Sequence, residues 1–569
     1  MYPLVALLKS FHTLRWTPLQ LALAACIFII LTCNAPLWQL ILSQPYESLL
    51  QQMLFSLAFF TLMLAVFLLF LSLLSWPRLI KPVLVLLLLC AALVSHFMSS
   101  YGILIDKVMI QNLFETDMAE TADLINVQLL VHLLLAGLLP ALFLATRPIR
   151  PQRIINLLGQ QLACVLACCV LLGLNAALFY KDYSSLFRNH REIRNLAVPS
   201  NFIYYTSRFL TGAYDATSRP FEQLGLDAVR KPPINNSNGK PDLTIVVLGE
   251  TARSMNFALN GYPRNTTPEL AQLPVISFRN VEACGTSTAV SVPCMFSLMT
   301  QASFDNAASH YQSNVLDILQ RAGISLFWRD NNSGCKGVCS RIPHQSSDEL
   351  GEQGCNQEEC FDMQLLTGLE QWLHDVDGDA VVVLHQQGSH GPAYYKRVPE
   401  DARAFTPVCN SNQLQTCNQA DIVNAYDNTI VYTDRLLAQV IRFLQNQDDQ
   451  FNTAMVYISD HGESLGENNL YLHGMPWLLA PDEQKRVPLI TWLSEDFQTT
   501  HGLDAECLDS RRSEPLNHDY LAHSLLGLMR VQTSVYEPTL DLFAPCTSSN
   551  MHLAQTSDNQ GTPQDHSEG

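Results

Sequence analysis

Before about residue 180 the chain is dominated by long apolar runs; after residue 240 short β-branched runs alternate with amphipathic stretches. Five apolar runs are each long enough to cross ~30 Å of hydrocarbon as a helix. They are roughly Leu19–Ala35, Met53–Leu74, Val83–Met98, Val127–Ala145 and Ile155–Phe179. The first is embedded in a multi-span pattern, so it does not read as a cleaved signal. The pattern divides the chain into a multi-span helical membrane domain (1–180), an interfacial helix and linker (181–239), a soluble domain (240–546) and a tail (547–569). The tail is rich in Ser, Gln, Asp and Thr and is expected to be disordered.

In the soluble part four β runs end in polar clusters. Leu243–Leu248 leads to Gly249-Glu250-Thr251, and Ile324–Trp328 to Arg329-Asp330-Asn331-Asn332. Ala380–Leu384 leads to His385, with His390 soon after, and Ala454–Ile458 leads to Ser459-Asp460-His461-Gly462. Continuous β-branched runs are strands buried on both faces, which predicts an α/β fold with a largely parallel sheet. Such sheets carry their chemistry at the carboxyl ends of strands.

Charge orients the helices. Lys9 and Arg15 precede the first span, Arg78 and Lys81 lie between the second and third, and Arg147, Arg150 and Arg153 between the fourth and fifth. The positive-inside rule puts these sets in the cytoplasm and everything after the fifth span outside. The cysteines point the same way. Of 16, ten lie after residue 280, as the close pairs Cys284/Cys294, Cys335/Cys339, Cys355/Cys360 and Cys409/Cys417, with Cys507 and Cys546 left over. Even numbers at short spacing suggest disulfides and an oxidising compartment. The lack of a CxxC pair argues against structural zinc. A net charge of −18 with no basic stripe excludes nucleic acid as a partner.

Two stretches border the membrane. In Ser99–Asn126, Asn112, Thr116 and Glu120 are spaced to share one helical face. That face is either merely solvated or a pocket for a cationic lipid headgroup, with Glu120 towards the ammonium. Arg188, His190, Arg191 and Arg194, followed by Phe202, Tyr204, Tyr205 and Phe209, suit an interfacial helix or a plain surface one. Pro232–Gly239 reads as a loop and a boundary.

The stretch Cys284–Cys294 holds two threonines and two serines and leads into an apolar run from Met295. It predicts a tight loop entering a helix, whose N-terminus favours phosphate. A hydroxyl there becomes a nucleophile only if activated. Glu250, Asp460 and His461 are O and N donors at two strand ends. With Thr288 they form a four-member set that suits zinc, which would lower the hydroxyl's pKa. His390 and His473 sit in glycine-flanked loops and could bind a second metal, bind substrate or shuttle a proton.

These motifs resemble the phosphoethanolamine transferases that decorate lipid A, including the mobile colistin-resistance enzymes. The matching pieces are Gly249–Arg253, the Cys284–Cys294 loop, Trp328–Ser333, His385–Arg397, Ser459–Asn468 and Tyr471–Pro476, with Asn112, Thr116 and Glu120 in the membrane part. The resemblance implies an alkaline-phosphatase/sulfatase-like domain facing the periplasm, on a five-span anchor in a Gram-negative inner membrane. It implies zinc held by Glu250, Thr288, Asp460 and His461, and it selects Thr288 over Thr286 as nucleophile, which spacing alone does not. It groups Asn112, Thr116, Glu120, Ser333, Lys336, His390 and His473 around phosphoethanolamine, donated by phosphatidylethanolamine and passed to lipid A. Cys335 and Cys339 flank Lys336, a pair found in only some members. The alternatives are a phosphatase or sulfatase that uses water, a phosphoglycerol transferase, transfer to Kdo or heptose, and an inactive binding domain.

Overall fold

The structure, a computed structural model, describes residues 15–548 apart from 47, 117, 218, 236–237, 352–353 and 356–358. Lys9 and the tail from 549 lie outside the described residues, as do the side chains of 118–120 (Glu120 among them), 213–217 and 348. In chain order the first helices are α1 (Pro18–Thr32), α2 (Ala35–Leu42), α3 (Leu49–Leu73), α4 (Ile80–Tyr101), α5 (Lys107–Glu115), α6 (Met118–Leu124), α7 (Val127–Thr146), α8 (Ile154–Asn189) and α9 (Ser200–Thr217). α3, α4, α7 and α8 are long and apolar enough to cross a membrane.

The expected first span is broken. α1 starts on a capping box between Thr17 and Gln20 but stops at Thr32, and α2 leaves at a 64° bend, so the pair makes a fifth span only if taken together. Pro36 cannot continue the hydrogen-bond ladder. Asn34 holds the break: its side chain donates to the carbonyls of Ile29 and Val198 and accepts from the Val198 N–H, at 2.9–3.0 Å. The last run continues past Phe179, where the backbone leaves helical φ/ψ, to Asn189. Polar side chains join α8 to α3: Tyr183 donates to Asn175 (2.9 Å), and Asn175 to Thr61 (3.2 Å).

The chain forms two compact units. One comprises the residues up to Ile110 together with Ile125–Leu210; the other comprises Gln111–Leu124 and everything from Thr211 on. The second unit is built on an eight-stranded sheet. Its strands are β1 (Asp242–Gly249), β2 (Ile276–Glu282), β3 (Ser325–Asp330), β4 (His344–Ser346), β5 (Ala380–His385), β6 (Asn452–Ser459), β7 (Arg486–Leu493) and β8 (Leu516–Asn517), in spatial order β8-β2-β7-β6-β1-β5-β3-β4. Only β7 runs against its neighbours, so the sheet is largely parallel as the β-branched runs predict. β1, β5 and β6 are buried along their whole length, which puts Glu250, His385 and Asp460 side by side at one sheet end. α10 (Thr288–Met295) follows β2, α11 (Gln419–Gln445) packs on β6, and α12 (Asp519–Leu528) packs on α10. All ten extramembrane cysteines pair: Cys284–Cys294, Cys335–Cys339, Cys355–Cys360, Cys409–Cys417 and Cys507–Cys546.

Candidate active site

Three chain ends converge. β1 delivers Glu250, β6 delivers Asp460 and His461, and α10 begins with Thr288. Two glycines permit the approach. A Cβ on Gly249 would lie 2.6 Å from the Tyr457 hydroxyl, and one on Gly462 2.1 Å from the Glu483 carbonyl. Thr251 takes φ 50°, the left-handed region that a β-branched residue avoids, and its N–H donates to Asp460 Oδ1 at 3.1 Å.

Thr288 Oγ1 lies 3.2 and 3.1 Å from the two carboxylate oxygens of Glu250 and 3.4 Å from His461 Nε2. That nitrogen is 3.3 Å from Asp460 Oδ2 and 3.5 Å from Glu250 Oε1. His461 donates from Nδ1 to the Gly462 carbonyl (2.9 Å), which turns the lone pair on Nε2 towards the cluster. Burial, helped by neighbouring His473, brings the His461 pKa down to about 4, so the ring is neutral at neutral pH. Asp460 Oδ2 is buried without a hydrogen-bond partner. One ligand atom each from Glu250, Asp460 and His461 lies within 4.8 Å of the others. Two carboxylates, a neutral imidazole and an orphaned buried oxygen fit a divalent cation of the zinc type.

Thr286 is occupied elsewhere. Its hydroxyl donates to the Met475 carbonyl (2.7 Å) and its own carbonyl accepts from the Gly474 N–H (2.8 Å), which docks the His473 loop on the Thr288 loop. His473 donates from Nδ1 to the buried Glu463 (2.9 Å), which also accepts from Tyr394 (2.7 Å). Ring centroids of His461 and His473 are 4.4 Å apart, and those of His473 and His390 5.4 Å. Ser333 and Lys336 pair with each other: Lys336 Nζ donates to the Ser333 hydroxyl (2.8 Å) and carbonyl (3.0 Å). Asn112 and residue 120 do not share one continuous helix, and the side chain of Glu120 lies outside the described residues. α5 ends at Glu115 and α6 starts at Met118, and the Thr116 hydroxyl turns back to cap the Asn112 carbonyl at 2.6 Å.

The sequence assigns no role to several supporting side chains, although Asp330, Asn332 and His385 stand in its strand-end polar clusters. Asn332 donates to Glu250 Oε2 at 2.7 Å and to the Gln386 carbonyl at 3.0 Å. His385 pairs with Asp330 at 2.9 Å; burial works to raise the Asp330 pKa, but the His385 pairing and hydrogen bonds from Trp328 and Asn332 bring it to about 2. His518 is fully buried and bridges the two halves of the cluster. It accepts from the Cys284 N–H at Nδ1 (3.1 Å) and donates from Nε2 to the Ser459 carbonyl (2.9 Å).

A hydroxyl at a helix start, faced by an acid–acid–imidazole set at the carboxyl end of a parallel sheet, defines an enzyme of the alkaline-phosphatase/sulfatase type, here in one chain with membrane-length apolar helices. The Sulfatase family model matches residues 242–531, and the one described as Phosphoethanolamine transferase EptA/EptB matches residues 62–214. The chain is 44% identical over 485 residues to phosphoethanolamine transferase EptA of Escherichia coli K12, covering 84% of this chain and 87% of that one. It is 39% identical over 539 residues to phosphatidylethanolamine transferase Mcr-1 of Escherichia coli, covering 91% and 97%. The solved structure of integral membrane lipooligosaccharide phosphoethanolamine transferase A from Neisseria meningitidis superposes with a TM-score of 0.88 at 34% identity, covering 93% of this chain and 98% of that one. The chain belongs to the EptA family of phosphoethanolamine transferases and is a transferase.

Proposed function

We propose that the protein moves phosphoethanolamine from phosphatidylethanolamine to lipid A through a covalent intermediate on Thr288, at a zinc site on the periplasmic side of a Gram-negative inner membrane. The observation that carries this reading is the Thr288 hydroxyl, at the start of α10, within 3.2 Å of both Glu250 oxygens. Glu250, Thr288, Asp460 and His461 would hold the metal. Zinc, when bound, supplies Lewis-acid charge neutralisation and a lowered hydroxyl pKa. Thr288 Oγ attacks the donor phosphorus and the bond to the diacylglycerol oxygen breaks. The threonine proton passes to Glu250, and the departing oxygen takes a proton from the His390–His473 side. A phosphate oxygen of lipid A then attacks the same phosphorus, giving up its proton to the His390–His473 side, and the Thr288 oxygen leaves and takes back its proton from Glu250. The N-terminus of α10 faces the charge on the transferring group, and Lys336, now resting on Ser333, turns to the donor phosphate on binding. The names of the relatives support the group transferred; the positive-inside pattern and the five disulfides support the periplasmic side.

The test is mass spectrometry of lipid A from a Gram-negative host expressing the full chain. The wild type is expected to add phosphoethanolamine, and Thr288→Ala, folded to the same thermal midpoint, is expected to add none. Addition by the variant overturns the nucleophile assignment. The Sulfatase match favours a hydrolase as second reading. Ethanolamine phosphate released at full rate without acceptor would establish it.

A further inference from the structure

Gln111–Leu124 leaves one apolar helix and enters the next in sequence, yet it belongs to the compact unit that holds Thr288. Both of its ends are fastened there. At the first end lies an acceptor that a proline creates. α10 contains Pro293, which has no N–H to donate to the carbonyl four residues back, that of Ala289. The Ala289 carbonyl instead accepts side-chain donors, Asn306 at 3.0 Å and Gln111 at 3.4 Å. Gln111 also accepts from Asn306 at 2.9 Å and donates to Glu115 at 2.8 Å, so its amide is held from three sides. Ala289 is the residue after the nucleophile.

At the other end Asp123, 7% exposed, accepts from Lys396 Nζ and Arg397 Nη2, each at 2.9 Å. Arg397 is itself buried and also pairs with Glu359. Its Nε donates to the His390 carbonyl at 2.9 Å. The Asp123 carbonyl accepts from Asn412. One carboxylate thus reaches, through one guanidinium, the backbone of a histidine in the reaction site.

We propose that Gln111 and Asp123 are positioning residues that clamp the Gln111–Leu124 segment between the nucleophile helix and the His390 loop, and that this clamp sets recognition of the donor. The inference rests on the donor-site reading above, in which Asn112 and Thr116 on the segment and His390 on the loop are walls of one headgroup pocket. Asp123–Arg397 cross-links those two walls, while the quartet around Thr288 is held by other bonds. Loosening the clamp therefore weakens donor binding first, while His473, held by Glu463, keeps a proton in place for the departing oxygen.

The experiment measures kcat and the donor KM with the full chain in detergent micelles of phosphatidylethanolamine, at fixed lipid A. Asp123→Asn is expected to raise the donor KM about ten-fold with kcat within about two-fold of wild type, because one partner of a buried charge is lost. Asp123→Glu keeps the charge and is expected to restore KM to within about three-fold; Gln111→Ala is expected to raise KM about three- to ten-fold. An unchanged KM in Asp123→Asn, or a fall of kcat in step with the thermal midpoint and no shift in KM, overturns the clamp. If Asp123→Asn does not fold, Gln111→Ala decides alone, and a wild-type KM overturns the proposal. Thr288→Ala is the control. Turnover there sinks the underlying mechanism, whereas a dead Thr288→Ala beside a normal Asp123→Asn sinks only the clamp.

Discussion

The quartet around Thr288 and the Ser333–Lys336 pair, which the proposed function assigns to one site, are built differently. Glu250, Asp460 and His461 are wholly buried, directly after two fully buried strands. Their remaining hydrogen bonds go to fixed groups: Asp460 Oδ1 to backbone N–H, His461 Nδ1 to a carbonyl, Glu250 Oε2 to Asn332. Ser333 and Lys336 are only half-buried, on a loop where Lys336 takes φ 48° and its ammonium rests on Ser333. Charge stabilisation requires donors that do not reorganise during the reaction. A headgroup that must enter and leave suits side chains that can exchange one partner for another. On the proposed reading, the chemistry is fixed at the strand ends and recognition falls to the Ser333–Lys336 loop.

The largest effect should come from the fixed side. Asp460→Asn keeps the shape but removes the orphaned charge. It is expected to lose bound zinc in elemental analysis and to lower transfer by about a hundred- to a thousand-fold, the scale seen when a group that stabilises developing charge is lost. Chelation of the wild type should do the same and be reversed by added metal. Metal retained at full occupancy in Asp460→Asn would show that the orphaned oxygen is not a ligand, and the contrast between the two halves would fail.

The next effect tests how the fixed half is assembled. His518 joins Cys284 to Ser459 and so sets the distance between the nucleophile loop and the acid–imidazole loop. Removing such an outer support typically costs about ten- to a hundred-fold in metal affinity or activity. His518→Ala is therefore expected to lower kcat by that factor with little change in donor KM. His518→Asn, which can still accept at the Nδ1 position, should recover part of it. A change confined to KM would place His518 with recognition instead.

His518 also shows where sequence reading stops. Glu250, Asp460 and His461 are legible because polar residues directly after buried β runs have few other reasons to be there. The sheet is legible for the same reason, since β-branched runs have no second solution inside an α/β core. His518 partners Cys284 across 234 residues, and Arg397 partners Asp123 across 274. No local period marks such pairs, and a histidine ahead of a helix looks like any other. The first span misleads for the opposite reason: mean apolarity persists through Asn34-Ala35-Pro36, while a single missing N–H and one amide side chain break the helix. The helix carrying Asn112 likewise ends at Glu115, where the Thr116 hydroxyl bonds the Asn112 carbonyl one turn back.

Two disulfides sharpen the same contrast by a smaller amount. Cys284–Cys294 closes 10 residues around Thr288, and Cys507–Cys546 closes 39 residues away from it. Loop-closure entropy assigns about 3 kcal/mol to the short loop and about 4 kcal/mol to the long one. Replacing both cysteines by Ala should therefore lower the thermal midpoint more at 507/546. Transfer, measured below either midpoint, should fall more at 284/294, since small misplacement of a nucleophile is costly. Equal losses of activity at equal fractions folded would mean that the loop around Thr288 is held by its hydrogen bonds alone.

The smallest effect belongs to the loop side. Lys336→Ala removes an ammonium whose present partner is a neighbouring hydroxyl, so the folded protein loses little. Its value appears only if it turns to the donor phosphate on binding. The expected result is a donor KM raised about three- to ten-fold, the range of a single partly exposed charge-assisted bond, with kcat nearly unchanged and an unaltered thermal midpoint. Ser333→Ala should do less, because it frees Lys336 from its resting partner while removing one donor. If Lys336→Ala instead cut kcat as deeply as Asp460→Asn, the ammonium would be part of the fixed electrostatics. The line drawn between a rigid centre and an adaptable rim would then have to move outward past Ser333.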